Sequence, residues 1–456
     1  MGRFDYDYIV IGSGAAGSAA AMMSASLKKK TAIIEADKWG GSGVNSRDVP
    51  FAAALKFAHL YNAAIAGAKF GLSTKNLRYN YPAVQRWREV AIERAYAKGK
   101  QMFEEVGIDC YETRANFVGA HEVAVAPDKV ITGAKILIAT GAVLDETSVA
   151  GTSTVDYLTP ADVLTIQQIP KTVLVAGGGA SGCEVAEYLA ALGSKVVIVE
   201  IAGRLLPRED IEVGRAMEAH LEKLGVKSLP QSRAVVIEKD AISKKVVIMR
   251  GGQEKALRVD EIVLATGTKP ATELGLENAG VEVTQKGIKV DKNLRTTAKH
   301  IFAAGDVIGG ISSTEKAAYD AAIATNNAIN RGKAVTDYTG YVRMTDTEPA
   351  VATVGLNEDA CIKRDLRYIS EIAEYGKMFV GNVHDFSGGF VKMITNKQGK
   401  ILGCTVMGPD AGVVIQEVAM AMKLGVLVGE LATVPHVSTS WSEGVRIVAR
   451  RLAAQI

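Results

Sequence analysis

Tyr6-Asp7-Tyr8-Ile9-Val10-Ile11-Gly12-Ser13-Gly14-Ala15-Ala16-Gly17 is the stretch that decides the fold. Its first half is β-branched and aromatic and reads as a buried strand; its second half is G-x-G-x-x-G. A small-residue helix to about Lys29 and a second strand, Thr31-Ala32-Ile33-Ile34-Glu35, complete a βαβ unit. In such a unit Gly12 permits the tight turn, Gly14 lets the backbone approach a pyrophosphate, and Gly17 lets helix pack on strand. The phosphate rests on the helix N-terminus beside Ala16, where N–H groups and dipole favour an anion. Glu35 closes the second strand and is placed to accept hydrogen bonds from an adenosine ribose.

The design recurs. Thr172-Val173-Leu174-Val175-Ala176 is a strand, Gly177-Gly178-Gly179-Ala180-Ser181-Gly182 a second loop, Glu184 to Leu192 a helix, and Lys195-Val196-Val197-Ile198-Val199-Glu200 the next strand. First glycine to terminal acid spans 23 positions in both units, Gly12 to Glu35 and Gly177 to Glu200, so two dinucleotide sites are expected. Each unit also ends in a buried strand at a Thr-Gly turn, Thr140-Gly141 and Thr266-Gly267. A further strand ends at Gly305-Asp306, followed by a helix from about Ser313 to Arg331. From Tyr338 the pattern changes to alternating strands (350–354, 389–394, 401–407), a helix from Gly412 to Leu424 and a last helix from Ser442. No phosphate motif occurs there. The expected class is α/β: two Rossmann-like domains and a C-terminal α+β domain.

Composition narrows the function. With 456 residues the chain exceeds one ordinary core. Hydrophobic residues at 48% and charged ones at 23% suit a soluble globular protein, and a net charge of +3 gives no reason to invoke nucleic acid or a membrane surface. Lys28-Lys29-Lys30 reads as a solvated helix end. Cys110, Cys183, Cys361 and Cys404 form no C-x-x-C, so neither a metal site nor a disulfide framework is expected, and a reducing cytoplasm fits. The apolar Ala15–Ala25 segment carries phosphate-loop glycines and is read as helix, not leader. No apolar run is long enough for a bilayer.

Together these motifs resemble the pyridine nucleotide–disulfide oxidoreductases, a flavoprotein family, over the whole chain. The resemblance implies FAD at Gly12, Gly14, Gly17, Glu35, Thr140 and Gly141, with Thr297 to Asp306 as the second FAD motif, whose Asp306 follows Gly305. It implies NAD(P)H at Gly177, Gly179, Ser181, Gly182, Glu184, Glu200 and Gly267. Pro349 to Leu356 and Gly389-Phe390-Val391-Lys392 match the dimerisation domain, which implies a homodimer. The implied domains are 1–149 and 272–337 for FAD, 150–271 for NAD(P)H and 338–456 for dimerisation.

Departures from the family pattern fall in Gly40-Gly41-Ser42-Gly43-Val44-Asn45-Ser46-Arg47-Asp48-Val49-Pro50. Gly41 and Ser42 keep their places beside the cofactor, but Gly43 and Asp48 stand where the family has its redox cysteines, and Ala52 where it has a lysine. Near the C-terminus Glu443 is kept and Ser438 replaces the family histidine, with His436 two residues earlier. Losing dithiol, lysine and histidine together argues against reduction of disulfides, lipoamide or mercuric ion. The expectation is therefore an FAD-dependent NAD(P)H:acceptor oxidoreductase, passing electrons from flavin directly to a small acceptor such as a quinone. Glu200 favours NADH, since a carboxylate repels a 2′-phosphate, although Arg204 leaves NADPH open. Gly43 either opens a flavin face to the acceptor or serves a backbone turn. Asp48 either donates a proton or pairs with a neighbour such as Arg47. Glu443 is the third candidate catalytic residue, with dimer packing its other reading. A flavin-dependent transhydrogenase, a non-catalytic nucleotide-binding relative and a partner protein that supplies the cysteines or takes the electrons remain alternatives.

Overall fold

The computed structural model describes residues 4–145, 149–240 and 243–456. Positions 146–148, inside the connector expected from Asp145 to Pro170, lie outside the described residues. The chain divides into two compact units. One comprises Met1–Ala53, Asn80–Asp145 and Gly267–Asp337; the other comprises Ala54–Tyr79, Glu146–Thr266 and Tyr338–Ile456.

In the first unit the strands Asp109–Glu112, Thr31–Glu35, Tyr6–Ile11, Lys129–Ile138 and Ile301–Ala303 run parallel in that order. Val10 lies opposite both Ile33 and Leu137, so the buried run Tyr8–Ile11 sits at the centre. Helix Ala15–Ser26 packs against helix Thr314–Ile329 on one face. Both are rich in alanine, which permits a close approach and costs little side-chain entropy. The first half of Lys129–Ile138 instead pairs antiparallel with Glu122–Ala126, which pairs with Asn116–Gly119.

In the second unit Lys227–Leu229, Lys195–Val199, Thr172–Ala176 and Glu261–Leu264 form a four-stranded parallel sheet. A three-stranded antiparallel sheet, Ser232–Lys239, Lys244–Arg250 and Gln253–Val259, accompanies it. The C-terminal part is a five-stranded antiparallel sheet ordered Val342–Thr345, Ala350–Gly355, Ile401–Gly408, Phe390–Thr395 and Ile369–Glu374. Helices Ala411–Leu424 and Glu443–Ala453 cover it around a core that includes Val391, Val406, Ile415 and Val448. The fold is thus two dinucleotide-type sheets and a C-terminal α+β domain. Among the described residues no helix is long and apolar enough to cross a membrane.

Candidate dinucleotide and redox site

The two glycine loops share their first and third glycine contacts. Gly12 has φ 100°, and a Cβ on it would stand 2.4 Å from the Ala139 carbonyl oxygen. Gly177 has φ 113° and the same relation, 2.3 Å, to Ala265 O. Only glycine holds such a turn without strain. A Cβ on Gly17 would fall 1.8 Å from Gly12 O, and one on Gly182 would fall 1.9 Å from Gly177 O, so helix and loop are in backbone contact. The middle glycines are open: Gly14 has only Gly41 Cα, at 3.9 Å, and Gly179 has nothing within 4 Å. That space lies at the N-termini of twelve-residue helices, Ala15–Ser26 and Ala180–Ala191, neither capped by a side chain. Uncapped amides and the helix dipole make each a fitting seat for a pyrophosphate.

The terminal acids also hold their own loops. Glu35 accepts from Ser13 N (2.8 Å), Ser13 Oγ (2.7 Å) and Asp37 N (2.9 Å). Glu200 accepts from Gly178 N (2.6 Å) and Ala202 N (2.7 Å). The donor is in both cases the residue after the first glycine and the second residue after the acid. Sequence spacing placed these acids near a ribose but did not reveal that they brace the turn.

Around the first loop lies a cleft of about 730 Å³, within the usual range for cofactor pockets. Gly41 closes on Gly14, its absent Cβ only 2.6 Å from Gly14 Cα. On the other side Thr140 Oγ1 donates to Ala271 O (2.7 Å) and fixes the Thr-Gly strand end. Asp306 is held by Arg47 Nη1 (3.2 Å) and by the Ser312 hydroxyl, and Arg47 Nη1 also donates to Ser312 Oγ (3.0 Å). Arg47 lines this cleft and was not singled out as a site residue; its only signal was a lone cation in a loop of small residues. Size, open amides and donor set fit FAD. Gly267 has φ 103° and leads into strand Thr268–Pro270 of the first unit.

At the two positions lacking cysteine, the space is filled. A Cβ on Gly43 would meet Thr314 Oγ1 at 3.0 Å and Asp48 Oδ2 at 3.2 Å, and the Thr314 hydroxyl donates to that same carboxylate oxygen. For Gly43, read either as opening a flavin face or as serving a backbone turn, the contact shows that a side chain there would press on Thr314 and Asp48. Asp48 pairs with Thr314 and not with Arg47, which takes Asp306. The four cysteines are free, and burial pushes Cys110 up to about 11 and Cys183 and Cys404 well up. None has the lowered pKa of a reactive thiol.

In the C-terminal part Glu443 is buried and accepts from Arg446 Nη2 (2.7 Å) one turn along its helix. His436 pairs instead with Glu417, Nε2 to Oε2 2.9 Å, while its Nδ1 lies 2.9 Å from Val434 O. Both ring nitrogens face acceptors, and burial raises the Glu417 pKa. Glu184 accepts from Asp346 N (2.8 Å).

A family model described as pyridine nucleotide-disulphide oxidoreductase matches residues 6–321, and that family's dimerisation domain matches residues 341–449. The chain belongs to this family. It is 32% identical to a dihydrolipoyl dehydrogenase of Chlorobaculum tepidum, over 97% of this chain and 96% of that one. It is 30% identical to a mercuric reductase of Bacillus cereus, over 98% of this chain and 71% of the other. Among solved structures it superposes on RclA, a HOCl-induced flavoprotein disulfide reductase of Escherichia coli, with a TM-score of 0.87 at 25% identity, covering 98% and 99% of the two chains. Members of the family are oxidoreductases that use FAD and NAD(P)H. These findings overturn the expectation of a quinone-type reductase that excludes disulfide chemistry, because the relatives and the structural neighbour are disulfide-reductase flavoproteins.

Proposed function

We propose that the chain is a pyridine-nucleotide-dependent flavoprotein reductase of disulfides, in which the disulfide arrives with the acceptor. The observation that carries this reading is the Gly43–Asp48–Thr314 contact: where the family has its dithiol this chain has Gly43 and Asp48, with the Thr314 hydroxyl donating to the Asp48 carboxylate. Bound FAD supplies two-electron transfer between nicotinamide and acceptor. The balance is NAD(P)H + H⁺ + RSSR → NAD(P)⁺ + 2 RSH. The chain's own residues bind and position: the first loop with Glu35 and Asp306 for FAD, the second with Glu200 for the nucleotide. Asp48 Oδ2 accepts from the Thr314 hydroxyl and lends the acceptor face a polar contact, and the proton of the balance is taken up by the departing thiolate from solvent. Segments 1–149 and 272–337 are the proposed FAD domain and 150–271 the nucleotide domain. Segment 338–456 makes a homodimer the proposed assembly, and the cytoplasm is the proposed compartment.

The test is anaerobic turnover with NADH and, separately, lipoamide, glutathione disulfide and an aromatic disulfide. Two thiols are expected for each nicotinamide oxidised. Flavin bleaching by NADH with no thiol formed from any of the three would sink the reading.

NADH is the proposed donor. Arg204 Nη2 is occupied by Asp359 Oδ2 (2.7 Å) and Glu209 O (3.0 Å), so it is not free for a 2′-phosphate. Glu200 stands at the strand end as a fixed negative charge. The expected kcat/KM for NADH exceeds that for NADPH by at least about tenfold, roughly 1.4 kcal/mol. Equal values with the two nucleotides would refute the preference.

A further inference from the structure

Arg47 lines the cofactor cleft and has no part in the proposed reaction. Its backbone is fixed at a corner between two helices, Gly41–Asn45 and Asp48–Ala66. Arg47 N donates to Ser42 O (2.8 Å), and Phe51 N donates to Arg47 O (2.9 Å). From that corner Nη1 alone makes both side-chain bonds, to Asp306 Oδ2 (3.2 Å) and Ser312 Oγ (3.0 Å). Nε and Nη2 have no partner among the described residues. Two other cations line the cleft. Arg114 follows Thr113, whose N donates to Glu35 O (2.8 Å), so it belongs to the ribose end. Lys269 is exposed on strand Thr268–Pro270. Of the three, only Arg47 adjoins Asp48 and so stands at the dithiol positions.

We propose that Arg47 sets the reduction potential of the bound flavin, as the cation that offsets the carboxylates at this end of the cleft. A hydride carries two electrons and one proton, so a flavin that receives one gains a unit of negative charge. Charge near the ring nitrogens is one means by which a protein tunes a flavin. Asp306 lines the cleft, and Asp48 stands directly behind Gly43 and Thr314, which line it too. Two carboxylates there disfavour a ring that becomes negative. Arg47 changes that balance, because Nη1 neutralises Asp306 while Nε and Nη2 stay available to an acceptor atom of the cofactor. A guanidinium suits the task, being charged at any working pH and presenting its donors as a rigid fork. The Arg47 side chain is 40% exposed, so solvent and salt screen its charge and the effect is moderate. A mere staple between the corner and Asp306 would support oxidised and reduced flavin equally. A charge that sets the potential supports the reduced form more.

The experiment equilibrates FAD-loaded protein with a dye of known potential during slow anaerobic reduction. In Arg47→Met the reduced-to-oxidised ratio at a fixed potential is expected to fall at least about tenfold, roughly 30 mV for a two-electron couple. Arg47→Lys keeps the charge and should stay closer to the parent than to Arg47→Met. Arg114→Met removes a cation from the same cleft at its other end and should leave the ratio at the parent value. If Arg47→Met releases FAD, the same quantity is read by titrating the apoprotein with oxidised and with reduced FAD. Linkage requires the affinity for reduced FAD to fall further, by the same factor. A smaller shift in Arg47→Met, or equal losses of affinity for the two forms of FAD, overturns the proposal and leaves Arg47 a staple. So does Arg47→Lys falling nearer to Arg47→Met, which would make geometry the cause, or an equal shift in Arg114→Met. The inference rests on FAD in this cleft and is independent of the acceptor proposed above.

Discussion

Gly17→Ala is expected to give a folded chain that purifies without flavin, whereas Gly182→Ala keeps flavin and loses its reduction by NADH. The reason is one distance in each loop. A Cβ at position 17 would lie 1.8 Å from Gly12 O and 2.8 Å from Gly12 C, and the atoms it meets are backbone. The helix must back away from the strand end. The N–H groups of residues 14 to 16 then no longer converge on one pyrophosphate, and Ser13 loses its grip on Glu35. At position 182 the same methyl would lie 1.9 Å from Gly177 O and would displace the Glu200 clasp instead. The loss is expected to exceed about 1.4 kcal/mol per site, hence more than tenfold in affinity. Flavin absorbance per protein reads the first variant, and anaerobic stopped flow with NADH reads the second. If Gly17→Ala retains stoichiometric flavin, or Gly182→Ala is reduced at the parent rate, the two loops do not have these separate tasks.

That pair of variants also shows what the sequence discloses and what it withholds. Local spacing suffices to place strand, loop, helix and acid, because the first and third glycines of each loop are forced by backbone atoms a few residues away or on the neighbouring strand. The 23-residue interval therefore reads as structure directly. Contacts closed across the chain leave no such trace. Thr314 fills the space beside Gly43 from 271 positions later, and nothing about a threonine at a helix start announces it. His59, Glu187, His220 and Glu348 form a cluster drawn from four distant segments. Each member alone looks like an ordinary helix or turn residue. His436 lies two residues before Ser438, which stands at the family's histidine position, but folding brings it to Glu417. The misread of function has the same origin. Two missing cysteines are conspicuous in a motif, whereas likeness along 97% of the chain is diffuse and is measured only by comparison.

Lys392→Met is expected to be the most destabilising single change in the second unit. Lys392 belongs to the strand Phe390–Thr395 and is 1% exposed, yet it carries an ammonium. Glu212 Oε2 at 2.8 Å, Glu358 Oε2 at 3.1 Å and Asp210 Oδ1 at 3.5 Å surround it. Burial works against its charge, but the Glu212 hydrogen bond and the Asp210 carboxylate outweigh that and raise its pKa. For Glu212 burial likewise opposes the charge, and Lys392 lowers the pKa nonetheless. Asp210 is raised, chiefly by burial. The signs give a window. A raised lysine stabilises below its unfolded value of about 10.4 and ceases to as pH climbs through the folded one. A lowered glutamate stabilises above about 4.3 and ceases to as pH falls through its folded value. Between those limits Lys392 and Glu212 are both charged and paired. Methionine fills a similar volume but leaves three carboxylates facing one another, and removing one member of a buried ion cluster costs about 3–5 kcal/mol. The variant's deficit should shrink toward acid, because protonating Asp210 and its neighbours relieves the repulsion that Lys392 had balanced. Urea unfolding at pH 7 and again near pH 5 reads both parts. A loss below about 1 kcal/mol at pH 7, or a deficit that grows on acidification, would mean that the cluster is not held by the charge of Lys392. Adding Asp210→Asn to Lys392→Met should recover part of the loss at pH 7, since it deletes the carboxylate that burial already disfavours.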